Sequence, residues 1–265
     1  MRHFVLICTL LLCIKSSSQE LFLISESAST IPSNAVYFSG LQTFLSNPYT
    51  SKNEYGFRPE FNYGISRNLM LRATAVFRTT PTKLKNEGGI VFIKYRFYSK
   101  DDSNKHFRLA LFGRYSLLSN YNVQNEPNLS EKNSRYEFGI SATQLIHKTA
   151  LNLSAGFETK NGLQSTTFEG NSPENNLVLY ALSFGRLLYP KKYSSFKQTN
   201  VNFMVEIIGQ TYLSSKQSVC SAVPVVQFIF NSQARLDLGY RQQLMNTTNL
   251  YKINGLYLNL GYVFF

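Results

Sequence analysis

The last ten residues, LYLNLGYVFF (256–265), decide the fold class. Large apolar side chains occupy every second position of this stretch, namely Leu256, Leu258, Leu260, Tyr262 and Phe264. Asn259, Gly261 and Val263 occupy the other parity. A period of two predicts a β-strand with two different faces. A long apolar strand left at the edge of a sheet promotes aggregation, so we expect partners on both sides, as a closed barrel provides.

The N-terminus, MRHFVLICTLLLCIKSSSQ (1–19), has the features of a secretory signal peptide. Arg2 supplies a positive charge, residues 4–14 form an apolar core, and residues 16–18 are small. We therefore predict a signal peptide over residues 1–18 that is removed near Ser18. The apolar core is too short for a stable transmembrane helix, and no later apolar run is long enough for one.

The three predicted regions of the chain are the signal peptide (1–18), a short periplasmic segment (19–34) and a β-barrel (35–265). Cys8 and Cys13 leave with the signal peptide, so Cys220 alone remains and no internal disulfide is expected. A mature chain of roughly 245 residues is long enough for one large domain.

Alternating apolar and polar residues recur along the whole chain and predict twelve strands. Their approximate ranges are 35–45, 58–66, 69–79, 89–100, 106–117, 135–146, 149–160, 176–188, 200–212, 221–231, 233–244 and 256–265. An even number of strands places both chain ends on the same side of an up-and-down barrel.

The connections between these strands alternate in length. SRN (66–68), DDSNK (101–105), HK (147–148) and NSQ (231–233) are short polar turns, and YPKKYSSFKQ (189–198) is a longer member of the same series. Between them lie longer links such as residues 118–134 and 159–175, which are rich in Asn and Ser. Short turns at one end and long loops at the other are typical of outer-membrane barrels. A soluble β-sandwich, the alternative all-β fold, has no reason to collect its long loops at one end.

Charged residues favour one face of the predicted strands. In FRLALFGRY (107–115), Arg108 and Arg114 share a parity opposite to that of Phe107, Leu109 and Leu111. In a membrane barrel the apolar face contacts lipid and the charged face lines the lumen. The 17 Tyr and 21 Phe residues, spread evenly along the chain, also favour a membrane barrel.

The chain resembles bacterial outer-membrane β-barrels, whose last strand ends in an aromatic residue that the assembly machinery recognises. Tyr262, Phe264 and Phe265 carry this resemblance, together with the signal peptide and the alternating links. In addition, YGISRNLMLR (63–72) resembles the periplasmic hairpin of transporters grouped with the phenol-degradation MetA-pathway family. The basic, Asn-rich and Tyr-rich composition resembles barrels of Bacteroidota. These families imply passage of small molecules.

Twelve charged residues are predicted to line the lumen. The basic ones are Arg72, Arg78, Lys94, Arg96, Arg108, Arg114 and Arg241, and the acidic ones are Glu60, Glu137, Glu158, Glu206 and Asp237. Arginines and lysines on three consecutive strands predict a basic wall that faces more acidic walls. These charges either pair and plug the lumen or stay hydrated and set a field in a narrow pore. Twelve strands are intermediate between a filled and an open barrel, so both alternatives remain.

No motif in the sequence indicates catalysis, a cofactor or a metal site. His106 and His147 lie in or beside short turns, at the periplasmic rim. An outer-membrane lipid hydrolase, such as a twelve-stranded phospholipase or a lipid-A deacylase, needs an activating histidine near the outer leaflet, so an enzyme is not favoured.

The formal net charge of +12 falls by two when Arg2 and Lys15 leave with the signal peptide. The remaining basic residues are divided between lumen, turns and loops, which argues against nucleic-acid binding and suits contact with lipopolysaccharide phosphates. The predicted partners are outer-membrane lipids, lipopolysaccharide and the barrel-assembly machinery. We predict a porin-like outer-membrane channel for small solutes, with a plugged structural or adhesive surface barrel as the alternative.

Overall fold

The computed structural model describes residues 22–47, 52–80, 83–118, 134–161, 176–192, 197–247 and 254–265. The predicted signal peptide and most of the two longest predicted links lie outside these ranges. Among the residues described, no helix is long and apolar enough to cross a membrane.

Twelve strands make up the fold. They are β1 (Val36–Asn47), β2 (Lys52–Gly64), β3 (Leu69–Thr80), β4 (Lys83–Asp102), β5 (Lys105–Leu118), β6 (Ser134–Ile146), β7 (Thr149–Asn161), β8 (Asn176–Tyr189), β9 (Asn200–Tyr212), β10 (Ser218–Phe230), β11 (Ala234–Asn246) and β12 (Gly255–Phe264). Each strand pairs with its neighbours in chain order, and β1 pairs with β12, so the sheet closes into a barrel. The predicted twelve-stranded antiparallel up-and-down barrel is confirmed.

The C-terminal strand closes the barrel. Its antiparallel register with β1 runs from Val36 opposite Phe264 to Leu45 opposite Gly255, and its other edge pairs with β11. Both edges of the apolar terminal strand are therefore covered, as its sequence required.

Tight turns join several strand pairs at one end of the barrel. β4 and β5 are joined at 103–104, β6 and β7 at 147–148, and β10 and β11 at 231–233. Several residues there have positive φ, as tight turns require: His147 at 53°, Asn231 at 52° and Ser232 at 56°. We call this the turn end, and the first and last strands also begin and end there. The links at the opposite end differ widely in length. β3 and β4 are separated only by residues 81–82, whereas β5 and β6 are separated by residues 119–133, so the predicted alternation of short and long links does not hold along the whole chain.

Strands project beyond the apolar alternation at the end opposite the turn end. β2 begins at Lys52, β4 at Lys83 and β10 at Ser218, all earlier than the alternation indicated. The added residues of β4 are largely polar, whereas those of β2 include Tyr55 and Phe57 as well as Lys52, Asn53 and Glu54. Backbone pairing therefore continues beyond the point at which the apolar alternation weakens.

The outer surface is apolar and the interior is polar, the reverse of a soluble protein. Leu153 is 59% exposed, Phe138 63% and Val91 58%, all on outward-facing positions. Lys94, Asp237 and Arg241, on inward-facing positions, are 0% exposed. Such a continuous apolar exterior is unsuited to water and fits hydrocarbon.

Aromatic pairs concentrate on the outer surface near both ends of the barrel. Towards the turn end, the rings of Tyr262 and Phe264 lie 4.7 Å apart, measured between centroids. Towards the opposite end, the rings of Tyr115 and Tyr136 lie 4.9 Å apart. Two such belts are typical of strands that cross both interfaces of a bilayer.

Candidate functional site: the occupied lumen

A segment without regular structure, residues 22–34, lies inside the barrel, and we call it the lumen segment. Its buried members include Phe22, Ser27, Ala28, Ser29, Thr30 and Ile31, each at most 3% exposed. The sequence predicted a short periplasmic segment over 19–34, but its described part packs against the inner wall. The segment joins β1 at the turn end, where the Asn34 N–H donates to the Gly64 carbonyl at 2.7 Å.

The lumen segment crosses the barrel in the half nearer the turn end. Thr30 Oγ1 donates to the carbonyl of Arg67, in the turn between β2 and β3, at 2.8 Å. The Ala28 N–H donates to Thr143 Oγ1 on β6 at 2.8 Å. Arg235 Nη2, at the start of β11, donates to the Phe22 carbonyl at 3.1 Å. Contacts therefore reach strands on opposite sides of the barrel.

The carboxylate of Glu26 binds three cationic side chains at once. Glu26 Oε1 lies 2.9 Å from Arg72 Nη1 and 2.8 Å from Arg114 Nη2. Glu26 Oε2 lies 3.3 Å from Lys94 Nζ. The three cations come from β3, β4 and β5, so one carboxylate joins three adjacent strands. We call Arg72, Lys94 and Arg114 the cation cluster.

An aromatic ring supports the cation cluster. The guanidinium carbons of Arg72 and Arg114 lie 4.6 and 5.4 Å from the centroid of the Phe92 ring, and Lys94 Nζ lies 5.6 Å from it. The Phe92 ring stacks on that of Phe112, with centroids 5.8 Å apart. Cations near an aromatic face are stabilised there, so Phe92 keeps the three groups together.

The charge of Glu26 is stabilised in this position. Burial acts to raise the pKa of its carboxyl, but Arg72, Lys94 and Arg114 overcome that effect and lower the pKa to about 2. Glu26 belongs to the lumen segment and not to a strand. The lumen segment is therefore anchored by a full negative charge at neutral pH.

A second carboxylate anchors the segment through its backbone. Glu206 on β9 accepts hydrogen bonds from the N–H groups of Leu23 at 2.8 Å, Ile24 at 3.1 Å and Ser25 at 2.7 Å. Beside it, the hydroxyls of Ser25 and Ser183 are 2.7 Å apart. Successive backbone donors that converge on one carboxylate fix the path of the segment at this point.

Apolar contacts hold the start of the segment. Phe22 packs in a cluster that includes Met204, Ile208, Val223 and Val225, with Leu23 and Ile24 against it. This patch of wall is apolar although the rest of the inner surface is largely polar. The apolar patch matches the LFLI stretch at 21–24, because Phe22, Leu23 and Ile24 pack against it.

Small polar side chains are also buried on the inner wall. Buried examples are Ser39, Thr43, Ser141, Thr143, Ser154, Ser183 and Ser221. A small cavity of about 40 Å³ remains between the segment and the wall, and Glu26, Arg114, Glu137 and Ser154 contribute to its lining. That volume holds about three water molecules.

The predicted basic wall divides into two groups. Lys94 and Arg114 converge with Arg72 on Glu26, as described above. Arg96 and Arg108 instead lie towards the turn end, where Arg96 Nη2 donates to the Arg67 carbonyl at 2.6 Å. Arg108 Nη2 lies 3.4 Å from Asp101 Oδ1.

The predicted acidic walls opposite the basic wall are not separate, because acids and bases pair between neighbouring strands. Arg114 on β5 also binds Glu137 on β6, and Arg135 on β6 binds Glu158 on β7 at 2.6 Å. Strand pairing places these residues side by side, which removes the need for a partner across the lumen.

The other predicted lumen residues occupy different levels of the barrel. Arg78 lies away from the turn end, 3.6 Å from Glu87 and 3.7 Å from Glu54. Glu60 Oε2 lies 3.9 Å from Arg72 Nε. Asp237 binds Arg235 at 2.6 Å, and Arg241 Nε donates to Ser221 Oγ at 3.1 Å.

Sequence reasoning missed Glu26, which is central to the site. Glu26 is the only charged residue in residues 22–34, and a single charge within small residues resembles a solvated linker. The apolar residues just before it were the available indication, because a hydrated tail has no use for them. Arg135 and Arg235 were also missed, although both share the inward parity of Glu137 and Asp237.

The C-terminal aromatic residues lie on the outer surface. Tyr262 is 40% exposed, Phe264 55% and Phe265 48%, whereas Val263 between them is buried. Their recognition by the assembly machinery stays a prediction.

His106 and His147 lie at the turn end. His106 Nδ1 is 2.8 Å from Asp101 Oδ1, and His147 sits in the turn between β6 and β7. Within the described ranges, no group of three or more His, Cys, Asp or Glu side chains could hold a metal ion. The one cysteine described, Cys220, is a free thiol.

No protein-family model matches this chain, and no curated protein matches it. The resemblance of residues 63–72 to the phenol-degradation family therefore has no support from family comparison.

Solved structures share the fold. The NanC porin in a rhombohedral crystal form aligns with a TM-score of 0.57 and 10% identity, over 85% of this chain and 98% of that chain. The β domain of the Bordetella autotransporter Brka aligns with a TM-score of 0.44 and 11% identity, over 87% and 98%. The Salmonella typhi OmpF complex with daunomycin aligns with a TM-score of 0.40 and 9% identity, over 87% and 96%. The NanC alignment supports the barrel fold alone, and the other two scores are too low to carry an argument.

Proposed function

We propose that this protein is an outer-membrane channel for small solutes, which the lumen segment closes in the conformation described here. The observation that carries this proposal is the nature of the lumen's contents. In the half nearer the turn end, the lumen is occupied by the lumen segment, which is held by polar wall side chains such as Glu206, Arg235 and the cation cluster, and buried Ser and Thr side chains also lie on the wall. Withdrawal of that segment would leave a hydrated passage.

The location in an outer membrane is supported by two features of the barrel exterior. Outward-facing residues along the strands are apolar and exposed, and aromatic pairs lie near both ends. Within this proposal, a signal peptide exports the chain and the assembly machinery recognises Tyr262, Phe264 and Phe265. Basic side chains contact lipopolysaccharide phosphates.

A permanently plugged surface barrel is the second candidate. It is favoured by the ion pairs outside the lumen segment, such as Arg135 with Glu158 and Arg78 with Glu87, which tie neighbouring strands together inside the barrel. Such a barrel would act through its loops and would pass no solute.

Planar-bilayer recordings separate the two candidates. The mature protein is compared with a variant that lacks residues 22–34 and with Glu26→Gln, each first shown to be folded by its heat-modifiable migration. A channel predicts rare conductance steps for the parent and frequent, uniform steps for both variants. Folded variants that remain electrically silent would instead establish the permanently plugged barrel.

A further inference from the structure

The cation cluster is a carboxylate-binding site that its own chain occupies. We propose that Glu26 stands in for a small carboxylate solute, and that such solutes displace the lumen segment and thereby open the channel. This inference rests on the proposed channel function and adds to it a solute class and a mode of regulation.

The geometry around the Glu26 carboxylate is that of a binding site for a carboxylate group. Arg72 and Arg114 both contact Glu26 Oε1, at 2.9 and 2.8 Å, and Lys94 contacts Oε2 at 3.3 Å. Nothing in this arrangement requires the carboxylate to be part of the chain. Charged hydrogen bonds from three strands recognise the carboxylate group itself.

The balance of charge at the cation cluster depends on Glu26. If Glu26 left, Arg114 would keep Glu137 and Arg72 would keep Glu60 at 3.9 Å. The cluster would lose a carboxylate that contacts all three of its cations, with Lys94 completely buried. Buried cations that lose a countercharge are costly, so the emptied cluster would attract an anion.

The wall supports the cation cluster independently of the segment. Phe92, which lies within 5.6 Å of all three cations, belongs to β4 and not to the lumen segment. The wall therefore holds the cations together when Glu26 is absent. A carboxylate solute would occupy the space that the Glu26 side chain vacates, since the cavity of about 40 Å³ beside it has room only for water.

The remaining contacts of the segment suit a reversible plug. Lys94 Nζ also donates to the carbonyls of Ser27 at 3.0 Å and Ser29 at 3.2 Å. Water can replace these neutral acceptors when the segment moves. Glu26 is the only charged residue between residues 22 and 34, so one competing carboxylate replaces the only charged side chain of the segment, while hydrogen bonds such as that of the Leu23 N–H to Glu206 remain to be broken.

Propionate, which reproduces the end of a glutamate side chain, is the probe. In bilayers containing the full mature protein, propionate replaces chloride at constant ionic strength, with neutral propionamide as the matched control. Competition predicts an opening frequency that rises as 1 + [propionate]/Kd, about tenfold at ten times Kd. Chloride and propionamide should leave the frequency unchanged.

A second measurement reports binding without the segment. In the variant that lacks residues 22–34, propionate should slow the chloride current in a saturable manner. In the same variant, Arg114→Gln is combined with Glu137→Gln, so that the Arg114–Glu137 ion pair is removed as a whole and no unpaired Glu137 charge remains. The double change should raise the propionate concentration for half-block roughly tenfold or more, as expected for the loss of one charge-assisted hydrogen bond. Heat-modifiable migration serves as the folding check.

The outcomes distinguish the two levels of the proposal. The deletion variant conducts in one outcome, but propionate neither raises the opening frequency of the full protein nor reduces the chloride current of the variant. That outcome would refute the carboxylate site and leave the proposed channel function intact. If neither the deletion variant nor Glu26→Gln conducts although both are folded, the channel function itself is overturned.

Discussion

Replacing Glu26 with Gln should release the lumen segment while preserving side-chain shape. The change leaves Arg72, Lys94 and Arg114 buried around a neutral amide whenever the segment is docked. Removing one partner of a buried ion pair costs about 3–5 kcal/mol. Because every 1.4 kcal/mol is a factor of ten, the undocked fraction should rise roughly 100- to 4,000-fold.

The docking equilibrium can be followed with a thiol at position 27. Ser27 is buried and its hydroxyl has no hydrogen-bond partner among the described residues, so Ser27→Cys disturbs little, and Cys220→Ser removes the native thiol. The rate of labelling by a membrane-impermeant maleimide then reports the undocked fraction. Glu54→Gln is a matched control, because Glu54 pairs with Arg78 on the wall, at 3.7 Å, away from the segment.

The expected result is faster labelling with Glu26→Gln by the factor given above, and a change within about threefold with Glu54→Gln. A folded Glu26→Gln protein that is labelled at the parent rate would refute the idea that this ion cluster holds the segment in place.

Three further predictions concern the barrel and its export. Deleting Phe264 and Phe265 removes the end of the closing strand and should abolish heat-modifiable, protease-resistant protein; normal insertion would refute the assembly role. N-terminal sequencing of the membrane-bound protein should find a mature end near Ser18, whereas an uncut chain would contradict export by signal peptide. Gly139→Val should destabilise the barrel by about 1–3 kcal/mol, since an added Cβ overlaps the Phe112 ring; an unchanged melting transition would contradict that packing.

The barrel could be predicted from sequence because its main determinants are local. Alternation along β5 or β12 assigns each residue to lipid or lumen, and tight polar turns mark one end. The early starts of β2 and β4 escaped prediction because charged and amide side chains there, such as Lys52, Asn53 and Lys83, interrupt the apolar alternation although the backbone pairing continues.

The occupied lumen could not be predicted in the same way. The lumen segment is stabilised by contacts distant in sequence: the Leu23 N–H binds Glu206, and the Phe22 carbonyl binds Arg235. Its small residues also suit an exposed linker. Parity placed Arg72, Lys94 and Arg114 on the inner face, but only the closed barrel shows that they meet at one carboxylate.

A reversible covalent lock tests most directly whether the lumen segment is the gate. The hydroxyls of Ser25 and Ser183 lie 2.7 Å apart, so Ser25→Cys and Ser183→Cys should form a disulfide between segment and wall. The two cysteines are placed in a chain that also carries Cys220→Ser and Glu26→Gln. In a planar bilayer the oxidised protein should be silent, and adding a reductant should start uniform conductance steps. Equal conductance before and after reduction would contradict the account.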